Sequence, residues 1–173
     1  MQRNANAPGR KASRLMAWGA ACALALGIAW MAVVFWSQRT AQAFFEKATE
    51  ATIETASGEK RVFSVRIAST GAQKRRGLQH VAHLPQGEGM LFPYERPGDV
   101  RMWMKDTIIP LDMVFMRGGR IVYVRENASP ESEEVIAAPE PVDAVFEIGG
   151  GEAARLGIRA GDRFFYRPVD VKP

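Results

Sequence analysis

An uncharged apolar run near the N-terminus constrains this chain more than any other feature. Residues 15–36 read LMAWGAACALALGIAWMAVVFW and contain no charged side chain. At about 1.5 Å of rise per residue, a helix of this length spans the ~30 Å hydrocarbon core of a bilayer. The run therefore predicts a segment that enters the inner membrane, within a leader over residues 1–43.

Basic residues on the N-terminal side of the run predict its orientation. Arg10, Lys11 and Arg14 precede the run, and Lys and Arg next to a membrane segment remain cytoplasmic. The rest of the chain is then expected to face the periplasm. The alternative is a signal peptide cleaved before Phe44, after the A-x-A sequence at 41–43, which would give a periplasmic or secreted protein. The length of the run favours the anchor, since signal peptides usually contain only ~7–15 apolar residues.

The positive charge of the chain belongs to the leader. The formal net charge is +4, but residues 1–43 carry five basic residues and no acidic one. This leaves 18 basic against 19 acidic residues in the remainder. Nucleic-acid binding needs a basic patch on the folded domain, so no nucleic acid is expected as a partner. The only cysteine, Cys22, also lies in the leader, and the remainder therefore has no thiol chemistry.

Short segments beyond the leader predict a β-rich domain over residues 61–167. Alternation of apolar and polar residues is typical of half-buried strands, and segments this short do not form stable helices. The predicted strands are 61–67, 89–93, 100–104, 112–116, 120–124, 142–148 and 162–166. Gly118 and Gly119 predict a hairpin turn between two of them. The fold class is therefore mainly β, a compact sandwich or barrel of jelly-roll-like kind with two short helices.

The segments between the strands complete this prediction. Short helices are expected at 70–83 and 152–156, while residues 44–60 are expected to form a linker and 168–173 a tail. Gly149-Gly150-Gly151 precedes the second helix and is expected to form a turn with positive φ. Backbone N–H groups that bind an anion are the alternative interpretation of this turn.

Several stretches of the domain resemble a known family. They are Arg76-Gly77-Leu78, Gly89-Met90-Leu91-Phe92, the run WMKDTIIPLDMVF at 103–115 and Ile158-Arg159-Ala160-Gly161-Asp162. They resemble the domain of unknown function 192 family over about residues 52–167. The resemblance implies a compact, mainly β domain, often behind a signal or an anchor, with no known activity, substrate or cofactor. This chain has Asp106 where the family commonly has Asn, and Gln79 where the family often has Met.

Polar residues between two apolar strands are the first candidate site. Asp112 shares a strand face with Val114, so a core on this face would bury its carboxylate and require a cation or backbone donors. In the functional hypothesis, Lys105 holds an anion, Thr107 donates a hydrogen bond to it, and Asp112 acts as a base or orients the ligand. In the structural hypothesis, which we favour, Asp112 binds backbone groups around the turn at Pro110.

An aromatic residue between two cations is the second candidate. Arg101, Trp103 and Lys105 alternate with Met102 and Met104 and therefore share one face. An exposed Trp in this setting would suit an anionic or sugar-like ligand, or a protein surface. The sequence supports equally well the alternative hypothesis, in which Trp103 is buried and both methionines face outward.

The sequence contains no P-loop and no common hydrolase motif. His80 and His83 could lie on one helix face, but they have few possible co-ligands nearby, so neither a metal nor a cofactor is expected. We therefore expect a non-enzymatic envelope module that binds a partner protein or a small ligand. Its binding residues would be Arg76, Arg101, Trp103, Lys105, Thr107 and Asp112. The alternative is an enzyme of undetermined class that uses Asp112 with Lys105 or Arg76.

Overall fold

The computed structural model describes residues 49–166. The predicted anchor and tail, at 1–43 and 168–173, lie outside the described residues. The elements are β1 (Thr49–Glu54), β2 (Lys60–Ile67), α1 (Gly71–Arg76), β3 (Glu88–Gly98), β4 (Arg101–Met102), β5 (Leu111–Arg117), β6 (Arg120–Ala128), β7 (Ile136–Ala137), β8 (Val142–Gly149), α2 (Glu152–Leu156) and β9 (Arg163–Tyr166). Within this part of the chain, neither helix has the length and apolar character needed to cross a membrane.

Seven of the strands close into a barrel in the order β1-β2-β3-β8-β5-β6-β9, and β9 pairs with β1. All neighbours are antiparallel except β2 and β3, which run parallel. Strands β4 and β7 form a separate two-stranded sheet. The prediction of a mainly β barrel with two short helices is confirmed, whereas the jelly-roll arrangement is not.

The hairpin of β5 and β6 follows the predicted pattern. Gly118 and Gly119 connect the strands with φ of 56° and 73°, the positive values that a tight hairpin turn needs. In β5, apolar residues occupy consecutive positions and not only alternate ones, and all but the last residue are buried. A strand with this composition is buried on both faces, which places β5 between two layers of side chains.

The predicted linker over 44–60 is wrong for residues 49–54. These residues form β1, which pairs with β2 along its length and with β9. Ala51 and Ile53 are buried inside the barrel, while the Thr and Glu residues that alternate with them gave the segment a polar composition. Pairing with β9, more than 100 residues away in sequence, fixes this strand.

Helix α1 is shorter than predicted. A capping box of Thr70 and Gln73 starts it at the predicted end, but Gly77, with φ of 47°, ends it after Arg76. The residues that follow form turns, and His80 has a φ of 59°. His80 and His83 therefore do not share a helix face, which removes the basis of a metal pair at this position.

Two predicted strands have different lengths in the structure. Strand β3 continues past Pro93 to Gly98, with an irregular register between these two residues. Conversely, the strand predicted over 100–104 is only the two-residue β4, which pairs with β7. The chain after β4 forms a loop whose turn at Asp106 has a φ of 57°.

Two hydrophobic cores lie on opposite sides of the barrel wall. The barrel core contains residues from all seven strands, such as Ile53, Val65 and Phe146. The outer core lies against the outside of β3, β8 and β5, and loop residues cover it, among them Leu78 and Met104. Strand β8 runs between the two cores and is therefore buried on both faces.

A candidate ligand pocket with a buried acid

Asp112, the residue expected to be either catalytic or structural, lies in β5 and is completely buried. Its Oδ1 accepts hydrogen bonds from the N–H groups of Asn127 at 2.8 Å and Gly151 at 2.9 Å. Its Oδ2 accepts from the N–H of Ala153 at 2.7 Å. These three charge-assisted bonds connect β5 to β6 and to the start of α2.

The glycine turn before α2 is shaped by this carboxylate. Gly151 has a φ of 80°, as expected for a turn that requires glycine. A Cβ at Gly150 would lie only 2.8 Å from the Cβ of Pro110, so a larger residue does not fit there. The N–H groups of Gly151 and Ala153 thus bind the chain's own Asp112 carboxylate and not an external anion. The role of the turn is structural.

The cations proposed to act with Asp112 lie elsewhere. The Lys105 Nζ is 3.5 Å from Glu133 Oε1, and both side chains are mostly exposed. The structure instead brings five of the six predicted binding residues together around one pocket, which Asp112 does not line. These five are Arg76, Arg101, Trp103, Lys105 and Thr107.

This pocket has a volume of about 210 Å³ and lies between α1, β3, β8 and the segment 101–107. Five cationic side chains line it: Lys74, Arg75, Arg76, Arg101 and Lys105. Phe92, Tyr94 and Trp103 supply aromatic surface. We call it the Glu147 pocket, after the acidic residue in its lining.

Lys74 connects α1 to the aromatic side of the pocket. Its Nζ donates a hydrogen bond to the carbonyl of Pro93 and lies 4.2 Å from the centre of the Tyr94 ring. Partial burial lowers the pKa of Lys74, and Glu95 partly offsets this effect. The hydrogen bond and the cation–π contact hold the ammonium group against β3.

Trp103 and Thr107 have different exposure within the pocket lining. Trp103 is 56% exposed, while Met104 is completely buried, so the hypothesis of a buried Trp with outward methionines is wrong. Thr107 is buried, and its Oγ1 donates to the carbonyl of Lys105 at 3.4 Å. Trp103 therefore presents an aromatic surface to solvent beside the pocket, and Thr107 fixes the loop that carries Lys105.

Glu147 is the residue that the sequence prediction missed. It lies on β8 between Met90 of β3 and Met113 of β5, its direct partners in the two ladders. It is only 4% exposed, and its Oε2 has no hydrogen-bond partner among residues 49–166. Burial raises the pKa of the Glu147 carboxyl to about 8, so the neutral acid predominates at pH 7.

The unpaired oxygen of Glu147 is unusual, because the other buried carboxylates of the described residues all accept hydrogen bonds. Asp112 accepts three backbone N–H groups, Asp162 accepts those of Ala56 and Arg159, and Glu152 accepts that of Gly87 together with the Arg155 guanidinium. An unsatisfied buried polar atom costs about 1–3 kcal/mol. Glu147 destabilises the fold by leaving a polar atom unpaired, and it lies in the wall of a pocket. A buried acid of this kind is a candidate functional residue.

A signal for Glu147 does exist in the sequence. In the strand VDAVFEIG, the residues around Glu147 are apolar at consecutive positions and so lie on both faces. This pattern is typical of a strand that is buried on both faces. Asp143 lies near the start of this strand and is half-buried, whereas an acid in the apolar part around position 147 is buried whichever way it points. Its pocket could not be predicted, because the covering segments come from separate parts of the chain.

The fold and the pocket define a small closed-barrel domain with a cationic, partly aromatic pocket around a buried acid. The chain belongs to the DUF192 family, described as an uncharacterised ACR, which it matches over residues 52–165. No curated protein matches the chain.

Two solved structures are similar to this chain. One is a protein from Sinorhizobium meliloti 1021 proposed as a transcription regulator; it is 38% identical, with a TM-score of 0.68, and the match covers 69% of this chain and 93% of that one. The other is a protein of unknown function from Novosphingobium aromaticivorans DSM 12444, also 38% identical, with a TM-score of 0.65 and coverage of 68% and 84%. The shared fold makes up nearly all of the first chain, so that protein consists of little beyond this fold.

Asp106 occupies a tight turn in the pocket loop. With a φ of 57°, this position requires a residue that tolerates left-handed backbone. Asn and Asp both do so, and the Asp106 carbonyl accepts the N–H of His80 at 2.9 Å. This turn connects the pocket loop to the segment after α1.

Proposed function

We propose that this chain is an envelope binding module that holds a small anionic ligand in the Glu147 pocket. The observation that carries the proposal is Glu147 itself, a buried acid in a pocket wall with an oxygen that no residue in 49–166 satisfies. Because Glu147 lines the pocket, a ligand bound there can supply a hydrogen-bond partner to its carboxyl group.

The charge of the lining supports an anion. Five cations line the pocket, and its one acid is predominantly neutral at pH 7. A concave site lined by charge of one sign concentrates ligands of the opposite sign. The guanidinium groups of Arg76 and Arg101 are also suited to the planar, two-pronged recognition of oxyanions.

The size and apolar parts of the pocket support a small ligand. Its volume of about 210 Å³ is below the ~300–1,000 Å³ typical of drug-sized ligands. Phe92 and Tyr94 provide apolar surface for the body of such a ligand, and the exposed ring of Trp103 extends this surface outward.

The binding function has better support than the enzyme alternative. An enzyme that uses Asp112 needs this carboxylate to reach a substrate, but the side chain is fully buried and both of its oxygens accept backbone N–H groups. Its hydrogen bonds account for its presence without a catalytic role.

For the location, we propose that residues 15–36 anchor the domain in the inner membrane, with the domain in the periplasm. The support is the uncharged length of this run and the basic residues before it. A periplasmic domain could sample small anions that enter the cell envelope.

Thermal unfolding of residues 44–173 with a panel of small anions tests the binding proposal. We expect anions to raise the melting temperature of the wild type, and the Arg101→Ala/Lys105→Ala variant to lose this effect. The matched control is Arg159→Ala/Arg163→Ala, which removes the same charge from exposed positions outside the pocket lining. Equal stabilisation of both double variants, or none in the wild type, would contradict the proposal.

A reporter fused after Pro173 tests the location. A phosphatase that folds only in the periplasm should be active, and a fusion that is active only in the cytoplasm should give no signal. The opposite result would overturn the topology. Sequencing of the mature N-terminus distinguishes an uncleaved anchor from a chain that begins at Phe44.

A further inference from the structure

We infer that the ligand of the Glu147 pocket is a small carboxylate, and that the protonated Glu147 donates its hydrogen bond to it. This inference rests on the proposed function, because it identifies the ligand class of the same pocket. It also makes binding proton-linked, since the ligand selects the protonated form of Glu147.

The first step is the surroundings of Glu147. Met90 and Met113 lie directly beside it in the two ladders, and in residues 49–166 no donor reaches its Oε2. A carboxyl group with apolar neighbours and no donor retains its proton, because the charged form loses its hydration without compensation. The raised pKa is consistent with this geometry. A protonated carboxyl has one O–H donor, and this donor needs an acceptor.

The second step selects the kind of acceptor. A cationic ligand would share the cavity with five positive side chains, which makes an amine an unfavourable partner. An anion receives the O–H of Glu147 and the charge of the cations together. Because one small cavity contacts both, a single anionic group can be bound by both.

The third step distinguishes a carboxylate from a phosphate. A phosphate monoester carries about two negative charges and three strong acceptor oxygens, which require several donors. Glu147 itself offers one O–H and lies between Met90 and Met113 in the sheet, while the cations that could bind further oxygens lie on α1 and the 101–107 segment. A carboxylate has two oxygens and one charge, so Glu147 can bind one oxygen and a cation the other. Its lower charge also makes desolvation less costly.

Other ionisable groups around Glu147 must be considered in any pH dependence. From β3, Tyr94 faces the pocket, and its pKa is raised by burial and then by Glu147, so the phenol remains protonated at pH 9. Strand β5 contributes Met113, which does not titrate. The α1 and 101–107 segments contribute the five cations, of which Lys74 has a lowered pKa. Lys74 is therefore the group that a control must separate from Glu147.

The expected pH dependence follows from the protonation of Glu147. Between about pH 6 and pH 7 this residue is mostly protonated and a small carboxylate is ionised, so the affinity should change little with pH. With a pKa of about 8, the protonated fraction falls roughly tenfold between pH 7 and pH 9, and the affinity should fall by the same factor. At pH 8, each binding event should take up about half a proton.

Calorimetric titration of residues 44–173 with benzoate, hexanoate, phenyl phosphate, benzenesulfonate and benzylammonium tests the inference. Benzoate and hexanoate should bind more tightly than the other three, with a tenfold loss from pH 7 to pH 9. Titrations at pH 8 in buffers of different ionisation enthalpy measure the proton uptake in the wild type alone, so this result does not depend on a variant that must fold.

Glu147→Gln is the matched control, because its amide keeps a hydrogen-bond donor and cannot titrate. It should bind benzoate with an affinity that stays constant over the same pH range. Any pH dependence that persists in this variant belongs to Lys74 or another cation. Equal pH dependence in both proteins would overturn the role of Glu147.

The remaining outcomes separate this inference from the proposed function. If phenyl phosphate or benzenesulfonate binds best, the pocket is an anion site and the carboxylate inference is wrong. If the carboxylates bind without proton uptake at pH 8, the pocket function holds and the Glu147 donor is excluded. If benzylammonium binds best, or if none of the five binds, both proposals fail.

Discussion

Asp112 and Glu147 are buried acids on neighbouring strands with opposite surroundings. Met113 pairs with Glu147, and Asp112 pairs with Ile148, so the two acids are one position apart along the β5–β8 ladder. Neighbouring positions point to opposite faces of a sheet. Asp112 therefore lies on the inner face, near the end closed by α2, and Glu147 lies on the outer face against the pocket.

The difference teaches that burial alone does not reveal the role of an acid. Asp112 is completely buried, but each of its oxygens accepts at least one backbone N–H, so its charge supports the fold. Glu147 is almost as buried and has an oxygen without a partner, so its ionised form opposes the fold. The supply of donors, and not the depth of the residue, separates a structural acid from a candidate binding residue.

The largest effect is expected from Asp112→Asn, which changes one carboxylate oxygen to an NH₂ group. Whichever way the amide is oriented, this group faces at least one backbone N–H, since both oxygens are acceptors. Loss of charge-assisted bonds in a buried site should lower the free energy of unfolding by about 3–5 kcal/mol. Urea unfolding of residues 44–173 measures this change. A variant that unfolds at the wild-type midpoint would show that Asp112 is not structural.

The same carboxyl-to-amide change at Glu147 should have the opposite sign. The pKa of Glu147 is about 8 in the fold against 4.5 for the unperturbed group, so the folded state holds the extra proton between these values. Stability of the wild type must therefore decrease as pH rises from about 4.5 to 8 and become constant above. The Gln side chain of Glu147→Gln cannot ionise, so this variant should not show that decrease in stability.

We expect Glu147→Gln to gain about 2–3 kcal/mol over the wild type at pH 8 and almost nothing at pH 5. The pKa difference sets an upper limit of about 5 kcal/mol, and the unpaired polar atoms of the amide reduce the gain. Parallel urea titrations at both pH values give the difference. If the variant is less stable than the wild type at pH 8, Glu147 has a protein partner and the contrast with Asp112 disappears.

The smallest effect is expected at Asp99, an exposed acid after β3. Asp99→Ala should change the free energy of unfolding by less than about 0.5 kcal/mol, while Asp112→Ala, which leaves three backbone N–H groups without an acceptor, should cost at least about 3 kcal/mol. Both variants unfolded in urea under identical conditions test this ranking. Similar losses at the two positions would mean that the stability of the domain responds to net charge and not to the backbone donors at Asp112.

The sequence predicted those parts of the fold that local patterns determine. The hairpin of β5 and β6 has glycines at its turn and apolar strands on either side, and Gly157 ends α2 as expected. Three of the five pocket residues, Arg101, Trp103 and Lys105, were found because their cation–aromatic alternation is visible without a structure. In each case, neighbours in the sequence supply the interactions.

The remaining features depend on contacts between distant segments. Strand β1 was missed because its pairing with β9 closes the barrel from the far end of the domain. Glu147 was missed because α1 and the 101–107 loop cover a face of β8 that would otherwise be exposed to solvent. Alternation in a single strand indicates which residues share a face, but not which faces will be covered.

The pairing of β1 with β9 also has a mechanical consequence. Ala51 lies opposite Tyr166 and Glu54 opposite Arg163, so the chain enters and leaves this strand pair at the same end. A pulling force between residues 49 and 166 would act on the hydrogen bonds of the pair one after another, and not on all of them together. If the N-terminal side of the chain is tethered and the C-terminal side is pulled, the barrel would open first at this strand pair and at low force.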